Sequence, residues 1–265
     1  MQYMIIRRAD AHSETGRLPA AEAELLFAAL KPSDVAVRLS LRHGEAAVTR
    51  GPFPDTAEMI AGFAVVDAPS KEGAIEWLKR WPAAEHLVEL EIRESGCPGG
   101  CAQVVAPDNS DPQGRRFAVL LRNSRELDDE VPVPQHKLDT LDAYNAAQAK
   151  AGVLLAADGL RGSARGARVK VAKGMFSVVD GPFTEIKEMI AGFWMIRVPT
   201  MDDAIDWARR NPYPTGPDVE VEIRELFEAS ELSHSIDAFT PDLQADEQRI
   251  RAEQLEAGMR AHFTA

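Results

Sequence analysis

Residues 51–82, GPFPDTAEMIAGFAVVDAPSKEGAIEWLKRWP, recur as residues 181–212, GPFTEIKEMIAGFWMIRVPTMDDAIDWARRNP, at a fixed offset of 130 and without a gap. The two runs agree at 15 of 32 positions, including GPF, EMIAGF, an Ala-Ile pair, a Trp and a closing Pro. A chain built this way has to make one unit twice. The register runs back through Arg38 and Arg168, and forward to EIR at 91–93 and 222–224 after one inserted residue. At the front, YMIIRR from Tyr3 matches FAVLLR from Phe117 with the offset reduced to 114, so the first copy is sixteen residues shorter ahead of its hairpin.

Each copy reads as alternating short strands and helices. In the second, 117–122 is an apolar strand, and Leu138, Leu141, Tyr144, Ala147 and Ala151 recur at helical spacing up to a Gly152 stop. VLLAADGL is a further strand. Residues 168–172 and 175–179 flank Lys173-Gly174 as a hairpin, a short helix or turn follows Pro182, and AGFWMIRV is a buried strand. Thr200 is placed to cap MDDAIDWARR, whose acidic first turn and basic last turn suit the helix dipole. VEVEIRELF alternates apolar with charged residues, a strand with one wet face. The order β-α-β-β(-β)-α-β is a ferredoxin-like unit. Such a sheet carries helices on one face and must cover the other, which two tandem copies do for each other. Trp77 and Trp207 read as core anchors, and Phe63 and Phe193 as core or inter-sheet residues. The expected organisation is a unit at 1–95, a linker at 96–115, a second unit at 116–228 and a tail at 229–265, helical over 241–262.

The formal net charge of −12 repels a phosphate backbone, so nucleic acid is not an expected partner. The N-terminus MQYMIIRRAD has too few consecutive apolar residues for a signal peptide or a membrane span. The expectation is therefore a cytoplasmic protein with no membrane partner. Cys97 and Cys101 lie in SGCPGGC. Two thiols do not complete a tetrahedral zinc site, and in a reducing compartment they are expected as exposed free thiols, with a bridge across the turn as the alternative. The histidines show no ligand spacing. No phosphate loop, nucleophile elbow or dinucleotide fingerprint occurs, so neither metal nor cofactor is expected.

With AGVLLAADGL, the hairpin, DGPFTEIKEMIAGFW and the closing VEVEIREL, residues 116–228 resemble the YCII-related family, in the branch named for its DGPF motif. The first copy follows through the repeat as a diverged member. The resemblance implies a dimeric α+β barrel, here a pseudo-dimer within one chain. Most members of that branch have no assigned reaction. Related families on the fold include acid–base isomerases and lyases, some YCII-like proteins carry a His/Asp pair proposed to be catalytic, and an association with extracytoplasmic-function sigma factors has suggested regulation.

Against that background Asp180 is the candidate general base if it faces a cavity; the ordinary reading is a side chain accepting backbone N–H bonds in the turn after it. Arg50 stands in its place in the first copy, and Ala57 stands for Lys187, a candidate anion-binding group or simply a solvated lysine. Asp158 and Arg161, in DGLRG, read as belonging to the segment the first copy lacks and as cavity-mouth or turn residues. Trp194 replaces Ala64 and is the aromatic placed to meet a ligand, or else core. His136 falls about one turn from the family's histidine, with Thr140 closer to that place. Two functions are in view. One is a small-molecule-binding protein with isomerase or lyase chemistry at Asp180, Lys187 or Arg161 neutralising an anionic substrate. The other is a non-enzymatic regulatory module contacting a protein partner or forming a homodimer.

Overall fold

The chain is described from a computed structural model, which covers residues 1–16, 18–55, 58–79, 81–82, 87–106, 114–173, 175–215, 218–228 and 231, with the side chains of Ala20 and Lys187 left out. The expected C-terminal helix lies outside these residues. No helix among them is long and apolar enough to cross a membrane.

The first half supplies strands β1 (Gln2–Arg8), β2 (Ala28–Ala29), β3 (Val37–Arg42), β4 (Glu45–Arg50), β5 (Ile60–Asp67) and β6 (Val88–Glu94). The second supplies β8 (Arg115–Arg122), β9 (Leu154–Gly159), β10 (Ala167–Ala172), β11 (Met175–Asp180), β12 (Ile190–Val198) and β13 (Val219–Glu225), with β7 (Val104–Val105) from the segment between them. They form two antiparallel sheets ordered β11-β10-β6-β1-β5-β2 and β4-β3-β13-β8-β12-β9-β7. Each half thus lends its hairpin to the sheet of the other. The exchange follows the apolar rows: Val169 and Val171 of β10 pair with Leu90 and Val88 of β6, while Leu39 and Leu41 of β3 pair with Val221 and Val219 of β13.

One face of each sheet packs on helices. Helix α2 (Lys71–Leu78) covers the first with Ala74, Trp77 and Leu78, capped by Ser70. Helix α5 (Met201–Arg210) covers the second with Ala204, Ile205, Trp207 and Ala208, and Thr200 forms a reciprocal cap with Asp203. The other faces meet each other. Met4, Ile6, Phe63 and Val65 of one sheet pack against Ala118, Leu120, Phe193 and Met195 of the other, and the rings of Phe63 and Phe193 lie 4.9 Å apart.

This corrects one expectation. The charged row of VEVEIREL is not wet: Glu222 and Arg224 are each 1% exposed, buried between the sheets while Val221 and Ile223 face the helices. A second correction concerns the copies' lengths. The DGLRG segment has a counterpart in the first half, because Ala28 pairs with Phe63 as Asp158 pairs with Phe193. Lys31 N–H bonds Glu225 as Arg161 N–H bonds Glu94. What differs is the helix ahead of it: α1 (Ala20–Leu25) has 6 residues, whereas α4 (Gln135–Lys150) has 16 and is preceded by the short α3 (Arg125–Asp128). The buried stripe of α4 is Leu138, Leu141 and Asn145; the expected Ala147 and Ala151 are not part of it.

Candidate functional site

The longer helix of the second half leaves space between itself and the sheet. A cleft of about 860 Å³ opens where Arg38 and Arg42 of β3, Leu121 and Arg122 of β8, Val131, Val133 and Lys137 before and within α4, and Pro214 and Thr215 come together. It continues, through Leu121, Leu127, Val131, Val133, Pro214 and Thr215, into an inner recess of about 60 Å³. The recess walls are largely apolar, with Leu141, Ala157, Ala191 and Trp194 among them, and its polar residues include Asp158 and Asn145. Trp194 donates its indole N–H to Asn145 Oδ1 at 3.2 Å and stands edge-on to Tyr213, whose buried hydroxyl finds no partner among the described residues and whose pKa is raised by burial. Thr215 Oγ1, buried and also without a partner among the described residues, belongs to a residue that lines both spaces.

Asp158 sits at the end of β9. Burial pushes its carboxyl from 3.8 up to about 6, against the pull of bonds from the Gly159 backbone and from Gln103 Nε2 at 3.1 Å. Such a group changes charge in the neutral range, as proton-transfer chemistry requires. The pair of positions is peculiar to this half: Ala28 and Ala64 stand in the first half where Asp158 and Trp194 stand here.

The segment between the halves forms a wall of the recess. Cys97 and Cys101 both line it, Gly96 N–H bonds Gly159 O at 2.9 Å, and β7 adds to β9 as an edge strand. Cys97 and Cys101 are bonded to each other, against the expectation of free thiols. The turn Pro98-Gly99-Gly100, closed by a 2.9 Å bond from Gly100 N–H to Cys97 O, sets their Cα atoms 5.5 Å apart, within bridging distance.

Of the residues singled out in the sequence, Asp158 and Trp194 both border the recess, from opposite faces of the strand pair: Trp194 pairs with Ala157 on the helix-facing side, whereas Asp158 pairs with Phe193 on the side that meets the other sheet. Arg161 lies beside it, bonded to Glu130 at 3.1 Å. Its counterpart Lys31 shows that the cation is not special to the second half. Asp180 is elsewhere. It is exposed at the end of β11 and accepts a 2.6 Å bond from Lys71 Nζ of α2, so it neither faces the recess nor serves the turn after it. The equivalent Arg50 reaches Asp202 of α5 at 2.8 Å. Lys187 lies on a 3-10 turn, Ile186–Glu188, and its side chain is outside the described residues. His136 and Thr140 are exposed on α4, joined by a 2.7 Å bond from Thr140 Oγ1 to the His136 carbonyl. Asn145 and Gln103 escaped the sequence reading. A polar residue one turn beyond Leu141 on an otherwise apolar stripe was the available signal for the first; Gln103 offered none.

The GPF motif is architectural. Gly51-Pro52 and Gly181-Pro182 are cis, and a Cβ on Gly181 would lie 1.9 Å from Ser163 O. Ser163 Oγ accepts the Phe183 N–H at 3.2 Å, and Arg168 stacks 4.3 Å above the Phe183 ring. Ser33, Phe53 and Arg38 repeat the arrangement. Those arginines belong to two buried clusters between the sheets. Glu222 binds Arg38 Nε and Arg224 Nη1, both at 3.0 Å, and also Arg122 Nη2. Glu91 is set likewise among Arg93, Arg168 and Arg8. Burial pushes Glu222 up, but Arg122, Arg224 and Arg38 together outweigh it and hold the carboxyl below the ordinary glutamate range.

The YCII-related domain matches this chain twice, over residues 1–94 and 118–229. The chain belongs to the YCII-related family. An uncharacterized protein of Rhizobium meliloti (strain 1021) is 32% identical over 126 residues, which are 44% of this chain and 97% of that protein. A solved structure of an anthrone oxidase-like protein overlaps 85% of this chain and 90% of its own at 8% identity, with a TM-score of 0.32, a likeness too loose to carry an argument. Among the described residues no group of three or more His, Cys, Asp or Glu is placed to hold a metal.

Proposed function

We propose that this YCII-related chain binds a small organic anion in the cleft and recess of its second half, and that Asp158 moves a proton there in chemistry of the isomerase or lyase kind. The observation that carries the reading is Asp158 itself. A carboxyl pushed up to about 6 by burial at the border of the recess, with Gln103 as its side-chain partner, is a costly arrangement, and the first half dispenses with it by having Ala28 in that place. Lys137 and Arg42, which form no ion pair among the described residues, are the cations at the cleft available to the anionic group. The role read in the sequence for Asp180 passes to Asp158. The framework is taken to be a pseudo-dimeric α+β barrel of two units, 1–95 and 116–228, in the DGPF branch through Asp180-Gly181-Pro182-Phe183.

The test is a screen of small carboxylic acids against the full chain by saturation-transfer NMR, repeated on Trp194→Phe and Asp158→Asn. Ligands of this site bind at least about tenfold more weakly to Trp194→Phe, and Asp158→Asn abolishes any conversion of them. Ligands indifferent to both substitutions would sink the reading. A second reading, an interaction or regulatory module, draws on one feature away from the recess: the exposed apolar edge strand β11.

A further inference from the structure

β11, Met175–Asp180, ends the six-stranded sheet, so one row of its backbone groups has no strand beside it among the described residues. Met175, Phe176, Val178 and Val179 are all exposed, at 70%, 38%, 45% and 57%. The equivalent edge strand of the other sheet, β4, reads EAAVTR; its one large apolar residue is Val48, at 37%. One edge is blunted and the other is not. An open, apolar edge is a template for a further strand.

We propose that the occupant is β11 of a second copy of this chain, giving a homodimer whose six-stranded sheets join across a twofold axis at Ser177. The sequence of the strand is self-complementary in that register. Phe176 and Val178 lie on the helix-facing side, since they pair with Val171 and Val169 of β10, and Met175 and Val179 lie on the other. Antiparallel pairing about Ser177 sets Phe176 opposite Val178 and Met175 opposite Val179, so every apolar side chain of the strand meets an apolar partner on its own face. A shift by one residue in either direction breaks this match. The same register brings the Lys173 turn of each copy beside the Asp180 end of the other, so unlike charges meet at both ends of the seam. The proposal is independent of the recess.

Sedimentation velocity of the full chain over a wide concentration range should show a dimer, and Val179→Lys should weaken it at least about tenfold, because both copies bring the substitution to the seam. Val48→Lys on β4 is the control and should leave the dimer intact. Ser177→Cys places the new thiol against itself, with Cys97 and Cys101 already bonded to each other, and mild oxidation should give a covalent dimer; Lys170→Cys, on the neighbouring strand, should not. A chain that sediments as a monomer throughout overturns the proposal, as does a dimer that survives Val179→Lys. So does a monomeric Ser177→Cys variant whose new thiol resists alkylation, which would mean that the chain's own C-terminal segment covers the edge.

Discussion

Replacing Asp158 by Asn should make the protein more stable above neutrality and leave it unchanged in acid. Burial raises the carboxyl from 3.8 to about 6 on folding, so ionisation opposes the folded state. The sign follows from proton linkage. Below 3.8 the carboxyl is neutral in both states and costs nothing; as pH rises from there through 6 the unfolded chain gives up its proton more readily, and stability is lost. The full difference corresponds to about 3 kcal/mol. The side chain is only partly buried, which lowers the expected gain to about 2 kcal/mol. In a chain of this size that is a rise in Tm of roughly 4–8 °C at about pH 8, shrinking to nothing near pH 4. The amide keeps an oxygen for Gln103, so little else changes. Paired thermal melts from about pH 4 to 8 measure the gap, and the carbon-13 shift of the Asp158 carboxyl gives its titration midpoint. A gap that does not vary with pH, or a midpoint near 4, would refute the argument that burial desolvates this group.

Glu222→Gln should cost about 3–5 kcal/mol at neutral pH, since two buried guanidiniums, Arg122 and Arg224, and the half-buried Arg38 lose their shared anion. Because the folded pKa is depressed, that deficit should close as acid protonates the wild-type residue too, below the ordinary glutamate range, and urea melts at about pH 7 and pH 3 test both statements. Gly181→Ala should cost about 3 kcal/mol by pushing a methyl into the Ser163 carbonyl. Gly99→Ala meets only the tip of Leu138 at 2.7 Å and should be nearly silent in the same melts.

The repeat, the hairpins, the Trp anchors and the Thr200 cap could be read from the sequence because each is a local pattern. The exchange of hairpins could not, because β10 fits either sheet by its own alternation and only Val88, Leu90 and Ile92 of β6 decide where it goes. For the same reason EIR looked like a solvated row. A charged residue is buried here only because three arginines from distant strands, Arg38, Arg122 and Arg224, converge on Glu222. Asp158 and Trp194 stood out as departures of one copy from the other. Asp180 stood out for the same reason and misled, because its substitution by Arg50 is answered on the opposite helix.

That answer has a consequence. Arg50 faces Asp202, and Asp180 faces Lys71, so the two equivalent contacts carry opposite polarity. Neither exposed bridge adds more than about 1 kcal/mol. As an address, however, the pair is informative. If two second halves came together, Asp180 would confront Asp202 with no lysine beside it, because Met201 stands where the first half has Lys71; if two first halves did, Arg50 would still find Glu72, the counterpart of Asp202. The repulsion therefore falls on one wrong pairing, that of two second halves. A duplicated chain can meet the wrong copy of itself, and this one carries on its surface a bar against joining second half to second half.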